Sequence, residues 1–484
     1  MQYRDRSPGR HSVVLLYLFI ALVALAPLPL GGNNPMAWTI NALVAGLLSM
    51  GFAIENMRHR HPPKVPLRWL WFPAFLYVGV CLWALIQSLS ISPDALHHPL
   101  WSLAADAMGH DVEGAISVNP YVTRTALLRL MTYGAVFWLA LQLGRERQKA
   151  DLILNSLAFA ITAYAIYGLV LWSAGSRTIL WYDKWAYQSV LTATFINRNS
   201  FATYAGMGSI GLLGLFLWSL RNALRSHPDD LVKRRVARLV RSISGMAGLY
   251  LLALAVTLTA LFLTSSRAGF AATMLALAML LILTLMHGRI GAIGTVIALA
   301  ACLAVFIFLF NLTGEGLVER LSGIEASAEQ RVNVYARTFQ AIVDSPWLGT
   351  GYGTFENIFP IYRDETISAW GVWDLAHNSY LENMLELGVP AAFALFVAIG
   401  SCAWLCLRGA SSRLRAVHFP LIGFAASLLV ALHSLVDFSL QMPGVAITFA
   451  ALLGLGVAQS WSSRAQPGRP ANHVANKRRA LPAG

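Results

Sequence analysis

Residues 244–286 read SGMAGLYLLALAVTLTALFLTSSRAGFAATMLALAMLLILTLM: two apolar runs, 244–264 and 268–286, joined by TSSRAG, with Arg267 as the only charge. A helix of about 20 apolar residues crosses the roughly 30 Å of hydrocarbon in a bilayer. The stretch therefore predicts a transmembrane hairpin whose turn is so short that Arg267 is held at the membrane boundary.

The same pattern recurs along the chain. Apolar runs at 13–30, 36–54, 68–88, 126–144, 151–173, 200–220, 244–264, 268–286, 291–311, 388–407, 416–436 and 442–461 predict about twelve transmembrane helices. Composition agrees: 57% of the 484 residues are hydrophobic and 12% charged, against about 45–50% and about 25% in soluble domains. The first run has no small-residue cleavage site after it, because PLPLGGNNP reads as a turn. It is expected to stay as a span rather than leave as a signal peptide. The fold class is thus an all-α polytopic membrane protein.

A net charge of +13 would suit a nucleic-acid binder, but its distribution suits a membrane. With the N-terminus inside, most Lys and Arg fall in cytoplasmic segments, including Arg58, Lys64, Arg145, Arg147 and the run Arg221 to Arg241. Such bias sets orientation, so no nucleic-acid partner is implied. Acidic residues run the other way and leave the outer face net acidic. An anionic ligand on that face needs locally placed cations, which makes the few outer arginines informative.

Three outer segments are long: 89–125, 174–199 and 312–387. The expected organisation is helices 1–9 over 1–311, an outer loop domain over 312–387, helices 10–12 over 388–461, and a disordered cytoplasmic tail over 462–484. Within the loop domain a helix is expected near 328–344, with Val332, Tyr335, Phe339, Ile342 and Val343 on one apolar stripe. Cys81, Cys302, Cys402 and Cys406 all lie in spans, so neither a disulfide framework nor a metal site is indicated.

Chemistry-bearing residues gather on the outer side. His377 stands just ahead of a span in LAHNSYLENMLELGVP (375–390), with Asn378 or Ser379 able to cap the helix that follows. Helical spacing puts Glu382 and Glu386 on a face apart from His377. Arg331 lies on the loop helix, and Arg337 is about 240° further round it. Asn197, Arg198 and Asn199 open span 6 in FINRNSFA; His433 and Asp437 close span 11 in HSLVDFSLQMP. Each has a plain structural reading: Arg267 and Arg129 as snorkelling side chains, Arg331 as solvated, Asn197 and Asn199 as caps, His433 and Asp437 as a pair, Glu386 as an orienting group. Their shared depth argues for function, since ionisable groups near hydrocarbon are costly. Guanidinium forks clamp pyrophosphate, and a neutral imidazole accepts a proton near pH 7. The residues alone support an outer-face membrane enzyme acting on a phosphorylated lipid.

The chain also resembles the O-antigen ligase and polymerase superfamily. The resemblance rests on ordered motifs across roughly 190–445: TFINRNSFATY, SSRAG, Arg331-x-x-x-Tyr335 eleven residues before PWLGTGYGTFE, HNSYLENMLELG, and HSLVDFSLQMP. The family places Trp where this chain has Tyr335, and no family motif position matches Arg337. The resemblance implies a bacterial inner-membrane glycosyltransferase of the C-type fold, inverting and without metal or other cofactor. Its donor would be an undecaprenyl-pyrophosphate-linked glycan, and its acceptor a lipid A core sugar (ligase) or another lipid-linked glycan (polymerase). It implies His377 as the acid/base, and Arg267 and Arg331 as pyrophosphate ligands. Asn197, Arg198, Asn199, Arg337, Glu386, His433 and Asp437 are secondary candidates. The site would face the periplasm, with both termini cytoplasmic and membrane lipids around the spans. Of the acceptors, the lipid A core is the first reading and the growing glycan the alternative. A protein hydroxyl is a third, disfavoured because those enzymes carry a longer C-terminal region. Other classes are a twelve-span transporter, which the large outer loop and lack of a repeat disfavour, and an export scaffold, for which the outer arginines would be dispensable.

Overall fold

A computed structural model describes residues 10–58, 63–224, 232–286, 324–367, 372–413 and 416–461. In chain order the helices are α1 (Arg10–Leu25), α2 (Pro35–Arg58), α3 (Trp71–Gln87), α4 (Leu100–Met108), α5 (Pro120–Leu143), α6 (Arg147–Ser173), α7 (Arg198–Leu224) and α8 (Val232–Ile243). There follow α9 (Met246–Leu263), α10 (Arg267–Met286), α11 (Ile324–Asp344), α12 (Phe355–Tyr362), α13 (Ser379–Leu387), α14 (Val389–Ser412), α15 (His418–His433) and α16 (Pro443–Ala458). A two-stranded hairpin, β1 (Thr178–Ile179) and β2 (Tyr182–Asp183), pairs antiparallel in the loop before α7.

Among the described residues, eight helices are long and apolar enough to cross a membrane: α2, α3 with the turn before it, α5, α6, α7, α9, α10 and α14. Shorter apolar helices lie at Val13–Leu25, His418–His433 and Pro443–Ala458. An all-α integral membrane protein is therefore what the chain builds. Eleven of the expected spans have a helical counterpart here; the ninth, 291–311, lies outside the described residues, so the number twelve is not established. Cys302 and the tail 462–484 also lie outside them.

Helix α7 is the axis of the bundle; its most apolar 18-residue window is wholly buried. Its sequence explains this. In FATYAGMGSIGLLG the small residues let neighbours approach to backbone distance. A Cβ at Gly206 would stand 2.4 Å from Thr273 Oγ1 of α10, and one at Gly208 2.4 Å from Ile161 Cγ2 of α6. Around this axis pack α6, α9, α10, α15 and α16.

A second, smaller core joins the segments between α10 and α14: Val334, Ala341 and Ile342 of α11, Phe355, Ile358 and Phe359 of α12, then Ile367, Ala376 and Leu385. Helix α11 corrects the expected stripe. Val332, Phe339 and Val343 are exposed, while Val334, Thr338, Ala341 and Ile342 are buried. The apolar arc of this helix is wider than one interface, and its short side chains, Ala341 and Thr338, permit the closer approach to α12 and α13.

One buried amide seams this cap to the bundle. Gln87, at the end of α3, donates from Nε2 to Leu348 O (2.7 Å) and Glu386 O (2.9 Å) and accepts from Tyr352 N (3.3 Å). Trp83 Nε1 adds a bond to Leu387 O (2.8 Å). At Gly388 (φ 78°, ψ 154°) the chain turns from α13 into α14, and a Cβ there would meet Trp347 O at 2.4 Å.

Candidate active site

His377 does not belong to a helix. It sits in left-handed backbone (φ 54°), an uncommon state for a residue with a side chain and one that costs about 1–3 kcal/mol. Several bonds hold it there. Asn378 is the N-cap of α13, its Oδ1 accepting from Tyr380 N (3.0 Å) and Leu381 N (3.1 Å). The Tyr335 hydroxyl donates to His377 O (2.8 Å). Ala376 N donates to Glu382 Oε2 (2.8 Å), and the other Glu382 oxygen accepts from Gln441 Nε2. Glu382 thereby clamps the His377 loop to the segment that carries Asp437. The imidazole lies edge-on between the rings of Trp373 and Phe438 (centroids 5.6 and 4.8 Å).

Behind His377 stands Asp437, with Nδ1 and Oδ1 3.9 Å apart; the carboxylate side chain is wholly buried and the imidazole 17% exposed. The acid is fixed by Asn199 Nδ2, which donates to Oδ1 (3.1 Å), and by the Ser439 hydroxyl, which donates to Oδ2. Burial alone would push this carboxyl up. The imidazoles of His377 and His433 and the Ser439 hydroxyl more than reverse that, so it stays below its ordinary value. Asp437 is therefore a buried anion held by polar partners.

His433 ends α15, and Asp437 lies beyond it in a turn rather than one helical turn along. The two are linked through hydroxyls: Thr203 Oγ1 is 2.6 Å from His433 Nδ1 and 2.9 Å from Ser439 Oγ. Thr203, Ser439 and Glu382 were not among the candidates. All three fall inside the motifs quoted above, but no spacing rule sets a hydroxyl or a carboxylate apart as a linker. Buried polar atoms with no hydrogen-bond partner among the described residues gather nearby: His377 Nδ1, His433 Nε2, Gln441 Oε1, Thr194 Oγ1, Ser200 Oγ and Arg198 Nε. Buried polar groups are normally satisfied, so these atoms have capacity for water or a ligand; His418 Nδ1 and Nε2, at the other end of α15, likewise have no partner among the described residues.

The candidate arginines stand in different relations to this centre. Arg331 stands one turn before Tyr335 on α11, and the Tyr335 hydroxyl feels both Arg331 and Asp437, with burial raising its pKa overall. Arg331 also lies within electrostatic range of His433. Arg267 is the first residue of α10 and exposed; two residues on, Gly269 packs where a Cβ would stand 3.3 Å from His433 Cε1. Ser265 before it is left-handed (φ 55°), which closes the turn. Arg337 points elsewhere, into an ion pair with Asp364. Asn197 caps α7 through Oδ1 to Asn199 N (2.7 Å) and Ser200 N (3.3 Å), and Arg198 lies over the Tyr187 ring at 5.3 Å.

Glu386 is buried on the far side of α13 and accepts from Phe355 N (3.0 Å), bracing the Gly-rich turn 349–355. Burial lifts its carboxyl to about 7, with the Gly353 and Phe355 amides and Arg129 opposing. Burial also raises Glu382 well above its usual range. Arg129 itself stands over the Trp38 ring at 4.9 Å.

Residues 251–396 match a family model described as O-antigen ligase. The match takes in Arg267, Arg331 and His377 and stops short of Asn197–Asn199 and of His433–Asp437, so it is narrower than the resemblance read from the motifs. No curated protein matches the chain.

Proposed function

From the match of residues 251–396 to the O-antigen ligase family model, we propose that the chain transfers a glycan from an undecaprenyl-pyrophosphate-linked donor to an acceptor hydroxyl at the periplasmic face of the inner membrane. What supports this reading is the pairing of His377 with Asp437, assembled from three separate parts of the chain. In the proposed step His377 takes the proton of the acceptor hydroxyl. The oxygen attacks the anomeric carbon of the donor sugar, and the bond from that carbon to the pyrophosphate oxygen breaks, with inversion. Asp437, buried and anionic, orients the imidazole and stabilises the imidazolium that forms. The departing pyrophosphate carries the charge away on its lipid, and in this reading Arg267 and Arg331 are the cations that receive it.

The acceptor we favour is a lipid A core sugar. The assay is full-length protein in nanodiscs, supplied with a lipid-linked repeat and purified lipid A core. A glycosylated core is the expected product, whereas a lengthened lipid-linked glycan would identify a polymerase. Activity is expected to survive EDTA; loss on chelation with recovery on added magnesium would overturn the arginine-based account. Absence of either product, with donor bound, would overturn the transfer reading.

A further inference from the structure

The loop 174–199 forms a cleft that the transfer reading does not use. It holds roughly 230 Å³, on the scale of one sugar ring, between the last turn of α6 and the β-hairpin. Its walls are braced. Lys184 Nζ donates to Val190 O (2.6 Å), Gln188 Nε2 to Lys184 O (3.0 Å), Lys184 N to Arg177 O (2.8 Å) and Leu180 N to the Tyr167 hydroxyl (2.8 Å). Leu191 N ties the far wall to Leu263 O at the end of α9 (3.1 Å). The shape is set by the fold rather than by a ligand.

The chemistry of the lining is selective. Arg177 and Lys184 are the cations, none of the lining residues is Asp or Glu, and Ser176, Gln188 and Ser189 add hydroxyl and amide groups. On an outer face that is acidic overall, this is a local reversal of sign. Lys184 is 6% exposed, and burial pushes its ammonium down to about 8. Trp172, 44% exposed, supplies a flat apolar surface on one wall, the complement of the C–H face of a pyranose.

We propose that this cleft binds an acidic saccharide residue, its carboxylate received by Lys184 and Arg177, its hydroxyls by Ser176, Gln188 and Ser189, and its ring face by Trp172. Leu191, Thr192 and Ala193 line the cleft a few residues before α7 begins at Arg198, the helix that carries Asn199. Its place on a substrate rests on the transfer reading; its affinity for an acidic sugar does not.

The test uses full-length protein in nanodiscs of neutral lipid, titrated with a galacturonate oligomer, with a neutral glucose oligomer of equal length and with inorganic phosphate. Tryptophan fluorescence and calorimetry read the affinity. The galacturonate oligomer is expected to bind about tenfold or more tighter than the neutral one, and Lys184→Gln to lose about tenfold, the scale of one charge-assisted contact. Arg177 is exposed, so Arg177→Gln serves as a second variant whose folding is not at issue, with a loss of several-fold expected. Equal affinity for the neutral oligomer, or full affinity in both variants, would overturn the proposal. Phosphate binding that outcompetes the sugar would overturn it in favour of a simple anion site, as would capture only by discs of anionic lipid in favour of a headgroup site. His377→Ala is expected to bind the oligomer normally, so a failure of transfer and a failure of this site are read separately.

Discussion

Of the three histidine–aspartate pairs among the described residues, two lie at opposite ends of α15. At one end Asp437 and His377 stand 3.9 Å apart; at the other Asp151 and His418 stand 3.8 Å apart. The distances are alike, but the burial is reversed. Asp437 is wholly buried and His377 reaches the surface; His418 is 5% exposed, against the ring of Trp218 and beside Phe419, while Asp151 is 31% exposed and also faces Arg147 at 3.6 Å. An imidazole open to solvent with a fixed anion behind it can exchange protons with a ligand. A buried imidazole beneath a solvated carboxylate fastens helices. Which partner is accessible separates the two roles, and distance does not.

The sharpest test of that contrast is His377→Ala, expected to lower glycan transfer by about 10²–10⁴-fold with membrane insertion unchanged; retained activity would erase the distinction. Next, Asp437→Asn keeps the shape but removes the anion. A fall in turnover of about tenfold or more with donor affinity preserved is expected, measured as separate kcat and KM. Arg267→Lys keeps charge but loses the fork, so donor KM should rise about tenfold; wild-type behaviour would mark Arg267 as a snorkelling residue. At the far end, Asp151→Asn is expected to leave transfer within about twofold and to cost no more than about 1 kcal/mol, because its carboxylate is partly solvated.

Glu386 gives the most pH-specific effect. Its folded value of about 7 exceeds the ordinary 4.5, so folding favours the protonated form. That contribution is whole below about pH 4.5 and fades as pH rises through 7. Thermal denaturation of the wild type and Glu386→Gln from pH 4.5 to 8 should show the wild type losing more stability along this ramp than the variant, which keeps only Glu382 of the two raised carboxyls.

The bundle was legible in the sequence because a lipid solvent leaves an apolar run few options. TSSRAG read correctly as a tight turn for the same reason. The α11 face did not read out, since Val332 and Val334 are equally apolar and only tertiary packing chose between them. For the candidate site, His377 and Asn378 could be placed from a capping pattern. The linkage of Asp437 to Asn199 spans 238 residues and passes through no local periodicity. Nor could the left-handed backbone of His377 be read, because histidine carries none of glycine's signal for that state.

The seam at Gln87 has a consequence for how the protein fails. One carboxamide serves three backbone groups drawn from two stretches of the outer segment, 348–352 and Glu386. It works as a rivet between membrane helix and smaller core. Gln87→Leu would leave those groups stranded in a dry interior and cut the smaller core loose while the spans stayed inserted, giving a protein that is present and correctly threaded but no longer joined across this seam.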